Sequence, residues 1–179
     1  MNKKVIILAL VSSFGFGLWI NSDEADWASL QYTKVTALFD ADAQYKLGKM
    51  YENGDGVKKN GGEAVKWYTK GAKQGHAESQ FRLGEMYAQD MHAQDMYGHY
   101  VYIRGFEKND AEKVKWFTKA AEQGYLKAQK RLAFMYFVGT GGVEKNHAEA
   151  VMWYIKAAEQ GDADAKRMLK KHFPPESNK

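Results

Sequence analysis

The 179-residue chain contains no cysteine, and its only two prolines, Pro174 and Pro175, stand in the C-terminal tail. The first absence excludes a disulfide scaffold, thiolate zinc or iron–sulfur sites, a cysteine nucleophile and a lipid-modified leader cysteine. The second leaves the interior free to form unbroken helices, and seventeen glycines then supply the punctuation. An excess of one charge is also lacking: 26 basic against 22 acidic residues give a formal +4, too modest to call for nucleic acid as a partner. The longest apolar run, Val5 to Ile20, is interrupted by Ser12, Ser13, Gly15 and Gly17, and falls short of the roughly twenty apolar residues that span a bilayer. What remains, 45% hydrophobic and 27% charged, suits a single domain large enough to bury a core.

The apolar run follows the short basic segment Asn2-Lys3-Lys4, ends near a small-x-small triplet (Gly15-Phe16-Gly17) and gives way to charged Ser22-Asp23-Glu24. That order is that of a signal peptide, here residues 1–21, with an uncleaved N-terminal anchor as the alternative. Either way the remaining domain is expected to leave the cytosol. Cleavage would remove Lys3 and Lys4 and lower the formal charge from +4 to +2.

Downstream, the chain repeats itself. Ala43-Gln44-Tyr45-Lys46-Leu47-Gly48-Lys49-Met50-Tyr51 matches Ser79-Gln80-Phe81-Arg82-Leu83-Gly84-Glu85-Met86-Tyr87 and Ala128-Gln129-Lys130-Arg131-Leu132-Ala133-Phe134-Met135-Tyr136. Each stretch is followed by a tryptophan segment ending in Gln-Gly, at Trp67 to Gly75, Trp116 to Gly124 and Trp153 to Gly161. Gln44 and Gln80 are 36 residues apart and Trp116 and Trp153 are 37 apart, whereas Trp67 and Trp116 are separated by 49, so the second unit carries an insertion of about thirteen residues. Tyr32-Thr33-Lys34, 36 residues before Tyr68-Thr69-Lys70, marks a half-unit at the start; Ala165 to Leu169, 37 after Ala128 to Leu132, marks one at the end. A period of this length signals stacked supersecondary units.

Each unit reads as two helices. In the first, Ala43, Leu47, Met50 and Tyr51 form an amphipathic stripe. Gly48 and Gly84 interrupt it where glycine costs roughly 1 kcal/mol against alanine, which predicts a helix contact too close for a side chain. In the second helix, Ala64, Trp67, Tyr68 and Ala72 share a face, and Gly75, Gly124 and Gly161 are placed to end the helices in a left-handed residue. Gly54-Asp55-Gly56-Val57 and Gly139-Thr140-Gly141-Gly142-Val143 read as the turns between them. One such hairpin cannot bury its apolar face alone, so the units stack into a solenoid whose tryptophan, tyrosine and methionine positions are core.

These residues resemble the Sel1-like repeat, a relative of the tetratricopeptide repeat. The pattern A-x-x-x-L-G-x-M-Y, G-x-G-V, A-x-x-W-Y-x-K-A-A-x-Q-G is nearly whole in residues 43–75 and 128–161 and is spread by the insertion in 79–124. The resemblance implies an all-α fold, an α/α superhelical solenoid, acting as a non-catalytic protein-interaction scaffold in the bacterial envelope or outside the cell. The expected division is a capping helix over 22–40, repeats over 41–75, 76–124 (insertion at about 88–104) and 125–161, a capping half-repeat over 162–173 and a tail over 174–179. The expected location is periplasmic or secreted, or inner-membrane anchored facing the periplasm if the leader is retained. Exported cysteine-rich relatives are linked to penicillin-like ligands, so a hydrolase or binder of cell-wall-derived ligands is the alternative. The cysteine pairs of that subgroup are lacking here.

A search for chemistry finds little. Ser22, Ser29, Ser79 and Ser177 lie in neither Ser-x-x-Lys nor Gly-x-Ser-x-Gly, and no His-Glu-x-x-His or phosphate-cradling glycine loop occurs. His76 and His147 sit near helix starts, where a solvated role is expected. Asp90, His92, Asp95 and His99 in the insertion combine donors that could hold a divalent metal, but the repeated Ala-Gln-Asp-Met reads as a small duplication that lengthens a helix or loop without creating a site, and no metal or cofactor is expected. The insertion's Met91, Met96, Tyr97, Tyr100, Tyr102 and Ile103 offer an alternative use as a projecting contact surface. By analogy with tetratricopeptide arrays the first helices line the concave face. Equivalent positions there read Lys46, Arg82 and Arg131, beside Tyr45, Phe81 and Lys130. Such a basic row with aromatic neighbours suits an acidic or carboxylate-bearing protein or peptide.

Overall fold

The structure, a computed structural model, describes residues 22–88, 92–94, 100–102 and 108–174. The leader, the tail beyond Pro174, and Asp90, Asp95 and His99 of the possible metal cluster lie outside the described residues. In chain order the helices are α1 (Ser22–Thr36), α2 (Ala41–Asn53), α3 (Gly61–Lys73), α4 (Ala77–Tyr87), α5 (Asp110–Glu122), α6 (Leu126–Val138), α7 (His147–Glu159) and α8 (Ala163–His172). Pairs α2/α3, α4/α5 and α6/α7 form antiparallel hairpins, each second helix packs on the next first helix, and α8 closes on α7. This is the expected solenoid.

The hairpins close in the same way each time. Asn60, Asn109 and Asn146 are the N-caps of α3, α5 and α7, accepting from the backbone N–H of Glu63, Glu112 and Glu149 at 3.1, 3.0 and 3.1 Å. This Asn-x-x-Glu pattern satisfies an otherwise orphaned donor. The same asparagines donate their own N–H to the last-turn carbonyls of the preceding helices, Tyr51, Tyr87 and Tyr136, at 2.8, 3.1 and 2.8 Å. The insertion therefore leaves and re-enters the array at the Tyr87–Asn109 bond. Of the helix or loop expected there, the helix is not lengthened: α4 ends at Tyr87, and His92–Gln94 (β1) pairs antiparallel with Tyr100–Tyr102 (β2), His92 opposite Tyr102. Tyr-Val-Tyr is a strand-forming triplet, and its β propensity prevails over the helical duplication upstream.

Glycine does two jobs. Gly75, Gly124 and Gly161 follow the second helices with φ of 91°, 86° and 92°, a conformation that suits residues lacking a Cβ. Gly48 and Gly84 instead face rings: a Cβ there would lie 2.7 Å from Tyr68 and 2.4 Å from Phe117. The close approach read from the sequence is present, and Ala133 holds the same place in the third unit, fully buried.

Between units, each tryptophan packs on the preceding second helix. Trp116 joins Ala64, Val65, Tyr68 and Ala72 of α3, Trp153 joins Ala120 and Ala121 of α5 and packs with Val114, and Trp67 packs on Leu30 and Ala37 at the N-terminal end. Beside these contacts runs a glutamine ladder. Gln44, Gln80 and Gln129, all buried, donate to the carbonyls of Ala37, Ala72 and Ala121 at 3.0, 3.2 and 3.1 Å. They accept from Gln74, Gln123 and Gln160 at 2.8, 2.6 and 2.7 Å. Each ladder step ties three successive helices and leaves the buried amide satisfied.

The ladder also corrects the register of the first half-unit. Because Ala37 occupies the place of Ala72 and Ala121, Tyr32 is level with Trp67 and Trp116, not with Tyr68. The cause is a shorter junction: two residues, Leu38 and Phe39, separate Ala37 from the N-cap Asp40, against three, Lys73 to Gly75, between Ala72 and the N-cap His76.

At the other end, Lys130 reaches Asp162 at 2.8 Å and Asp164 at 3.1 Å. Asp162 also caps α8 through the N–H of Ala165 at 2.7 Å. The bond to Asp162 raises the pKa of Lys130. Burial pushes the Asp162 carboxyl up, but the Lys130 and backbone hydrogen bonds outweigh it and hold the carboxyl below its ordinary value. The lysine contribution is present below the ordinary lysine value and fades as pH climbs through the raised one. The aspartate contribution is present above the ordinary carboxylate value and fades as pH falls through the lowered one. Asp162→Asn, which keeps a capping oxygen, should cost about 0.5–1 kcal/mol at neutral pH and less at about pH 2, as the lowered carboxyl protonates. Asp162→Ala, which also loses the cap, should cost about 1–2 kcal/mol at neutral pH. Urea unfolding at the two pH values checks both.

Candidate functional site

The first helices present their outer residues along one side of the array, where an open groove of about 600 Å³ runs across α2, α4 and α6 to the start of α8. Five of the six residues singled out in the sequence line it: Tyr45 from α2, Phe81 and Arg82 from α4, Lys130 and Arg131 from α6. Lys46 is exposed on α2 but does not line the groove.

The floor is aromatic. Phe81 sits with its ring centre 5.2 Å from Tyr125 and 5.4 Å from the buried Phe117, and Tyr45 lies 5.0 Å from the His76 ring and 5.7 Å from Tyr68. Such tilted arrangements are favoured by the ring quadrupoles. His76 is not the solvated residue expected at a helix start. Its side chain is 13% exposed, its Nδ1 accepts the Ser79 N–H at 3.2 Å as the N-cap of α4, and its Nε2 lies 3.0 Å from Asp42. His147, by contrast, is exposed. Phe134 is half exposed at the rim.

Carboxylates interleave with the cations. Arg131 donates to Glu85 at 2.7 Å; Arg82 lies 3.9 Å from Glu85 and 4.0 Å from Glu52; Lys130 is held by Asp162 and Asp164. Burial works against the charge on Arg82, but Glu52 and neighbouring tyrosines outweigh it and raise its pKa. Glu52 also accepts from the Tyr68 hydroxyl at 2.5 Å; burial first, and then this bond, pushes the Tyr68 pKa far up and keeps the phenol neutral. The row is therefore an alternating lattice with a surplus of cations, four (Arg82, Lys127, Lys130, Arg131) to two (Glu85, Asp162) among the lining residues. A bound carboxylate would share or displace Glu85 on Arg131, whose side chain is 51% exposed.

Glu85, Tyr125, Phe134 and Asp162 were not singled out from the sequence. Glu85 and Phe134 follow Arg82 and Arg131 by three residues, a spacing that puts side chains on one helix face. Tyr125 and Asp162 start the first helices of successive units, a position the repeat alignment already marks. Among the described residues no group of three or more His, Asp or Glu could hold a metal ion, and no helix is long and apolar enough to cross a membrane.

Stacked helical hairpins with an open groove along their first helices define a superhelical repeat protein. The Sel1 repeat family model matches residues 41–76, 77–90, 92–125 and 126–162, and the chain belongs to that family. The insertion divides the second hairpin between two of those matches. The chain is similar to a Sel1 repeat protein from Oxalobacter formigenes, with 36% identity, a TM-score of 0.66, and coverage of 79% of this chain and 97% of that one. It is also similar to c5321, a protective antigen of uropathogenic Escherichia coli, with 33% identity, a TM-score of 0.65, and 82% of this chain matching 30% of the antigen. The Helicobacter pylori cysteine-rich protein B shares the fold at 18% identity and a TM-score of 0.58, covering 83% of this chain and 98% of that one. The comparison with curated proteins gave no match. Sel1 repeat proteins typically mediate protein–protein interactions and are generally non-catalytic.

Proposed function

We propose that this chain is an exported, non-catalytic scaffold that holds a carboxylate-bearing segment of a protein partner in the groove of its first helices, in the periplasm or outside the cell. The observation that carries the binding part is the convergence of Tyr45, Phe81, Arg82, Lys130 and Arg131 on one groove from three helices of successive units. In this reading Phe81, Tyr125 and Phe134 receive an apolar or aromatic side chain, and Arg131 and Arg82 orient its acidic neighbours. The surplus of cations favours an acidic partner, and the interleaved Glu85 and Asp162 select where its charges fall. Export rests on the order of basic segment, apolar run and small residues in 1–21. Intact mass of the native protein tests it: loss of the leader is expected, and an unshortened cytosolic protein would contradict export.

Affinity capture from envelope extract by the full chain tests the groove. Arg82→Gln/Arg131→Gln should reduce recovery of the specific partner about tenfold or more, the size of effect expected for lost charged hydrogen bonds. Recovery by the wild type should also fall with added salt. Equal recovery by both forms would contradict the assignment.

A further inference from the structure

The two ends of the array expose apolar residues where interior units expose polar ones. On α7, Met152 and Ile155 are 38% and 43% exposed. Counting from the tryptophans, they occupy the places of Lys66 and Lys115, and of Thr69 and Thr118. Val151 and Ala158 on the same helix correspond to Val65 and Ala72 of α3, the residues that Trp116 covers inside the chain. At the other end Tyr32, Val35, Leu38 and Phe39 are 41%, 51%, 60% and 80% exposed. Terminal units of a solenoid ordinarily carry a polar outer face to stop further stacking. Neither end here does so throughout.

The ends are also complementary. The described array opens with a second-type helix, α1, and closes with a first-type helix, α8. The glutamine ladder places Tyr32 at the tryptophan position of α1, the position from which Trp116 and Trp153 pack with a Val–Ala pair, and Trp67 with Leu30 and Ala37, of the preceding second helix. In every hairpin the second helix starts beside the end of the first, as the Asn60–Tyr51, Asn109–Tyr87 and Asn146–Tyr136 bonds show. The last turn of α8 carries Lys170, Lys171 and His172, and the sequence at the start of α1 carries Asp23, Glu24 and Asp26. Those charges, and the partial charges of the helix ends, are of opposite sign. Lys170 stands at the place of Gly48 and Gly84, which face the rings of Tyr68 and Phe117, and α1 has the smaller Thr33 at the ring's position, in keeping with the longer lysine side chain opposite it.

We propose that the chain associates head to tail with a second copy of itself. In that contact α1 of one copy fills the place beside α7 and α8 of the other that the next second helix would take, seating Tyr32 on Val151, Ile155 and Ala158. The contact is heterologous, so it propagates into short chains or closes into a ring.

Sedimentation velocity of the full chain, from micromolar to about 1 mM, tests this. The expected result is a weight-average mass that rises with concentration beyond a dimer. Tyr32→Glu and Ile155→Glu, both at exposed positions, should each weaken association at least tenfold, and their equimolar mixture should form a dimer and nothing larger. A monomer at all concentrations would overturn the proposal. So would a mixture that stays monomeric, or a Tyr32→Glu variant that dimerises fully while Ile155→Glu does not, which would indicate a two-fold contact of α7 with itself. Association that neither substitution changes would overturn it equally.

Discussion

Gly84→Leu is expected to produce the largest loss of stability of any single substitution in the interior of the array. The added Cβ alone would stand 2.4 and 2.5 Å from two atoms of the Phe117 ring, and that ring is 1% exposed, held among α4, α5 and α6. Even Gly84→Ala should lose about 1–2 kcal/mol, because an overpacking cost of about 2–3 kcal/mol outweighs the helix-propensity gain of about 1 kcal/mol. With leucine the helices must separate, at a cost of about 4 kcal/mol or more, which corresponds to roughly 10 °C in melting temperature for a domain of this size. Gly62→Ala provides the contrast. A Cβ there meets only Asn60 Oδ1 at 3.4 Å, so it should be neutral or slightly stabilising. Thermal melts of the three variants check the argument, and an unchanged melting temperature for Gly84→Leu would contradict it.

The second large effect is expected at the glutamine ladder. Gln80 is 4% exposed, donates to Ala72 and accepts from Gln123. Gln80→Ala removes both bonds, leaves the Ala72 carbonyl buried without that donor and opens a cavity, so a loss of about 2–4 kcal/mol is expected. Gln123→Ala should cost less, about 1 kcal/mol, because that residue is exposed and water can replace it at Gln80. Denaturant unfolding of the two variants separates them. Equal losses would mean that the ladder is held by its exposed member and not by its buried one.

Much of this architecture was legible because it repeats. The 36–37-residue spacing, the tryptophan segments and the Gln-Gly endings define the hairpins, and glycine at 48 and 84 announces a close helix contact before any ring is placed against it. The Asn-x-x-Glu caps and the ladder glutamines are equally periodic; they stand in the sequence, but the ladder partners come from the neighbouring helices on either side, up to 43 residues away. What the sequence does not convey is pairing across units. Arg131 finds Glu85 at a separation of 46 residues and Lys130 finds Asp162 at 32, so a row that reads as basic along one motif becomes an alternating lattice in space. The shift at α1 escapes for a related reason. Aligning Tyr32 with Tyr68 matches residue types, whereas the shorter junction before Asp40 moves the helix by one position. In the insertion, a duplicated helical phrase and a strand-forming Tyr-Val-Tyr compete, and only the folded chain resolves them.

In the proposed function a partner segment lies on the first-helix groove. The most direct measurement places a photo-reactive phenylalanine analogue at Phe134 in the groove, at Lys46 outside it and at Phe39 on the N-terminal end, and irradiates each full chain in envelope extract. One dominant adduct is expected from position 134, suppressed by added salt and by Arg82→Gln/Arg131→Gln, and little from position 46. An adduct formed equally well from position 46, or one from position 134 that survives the arginine substitutions unchanged, would contradict it.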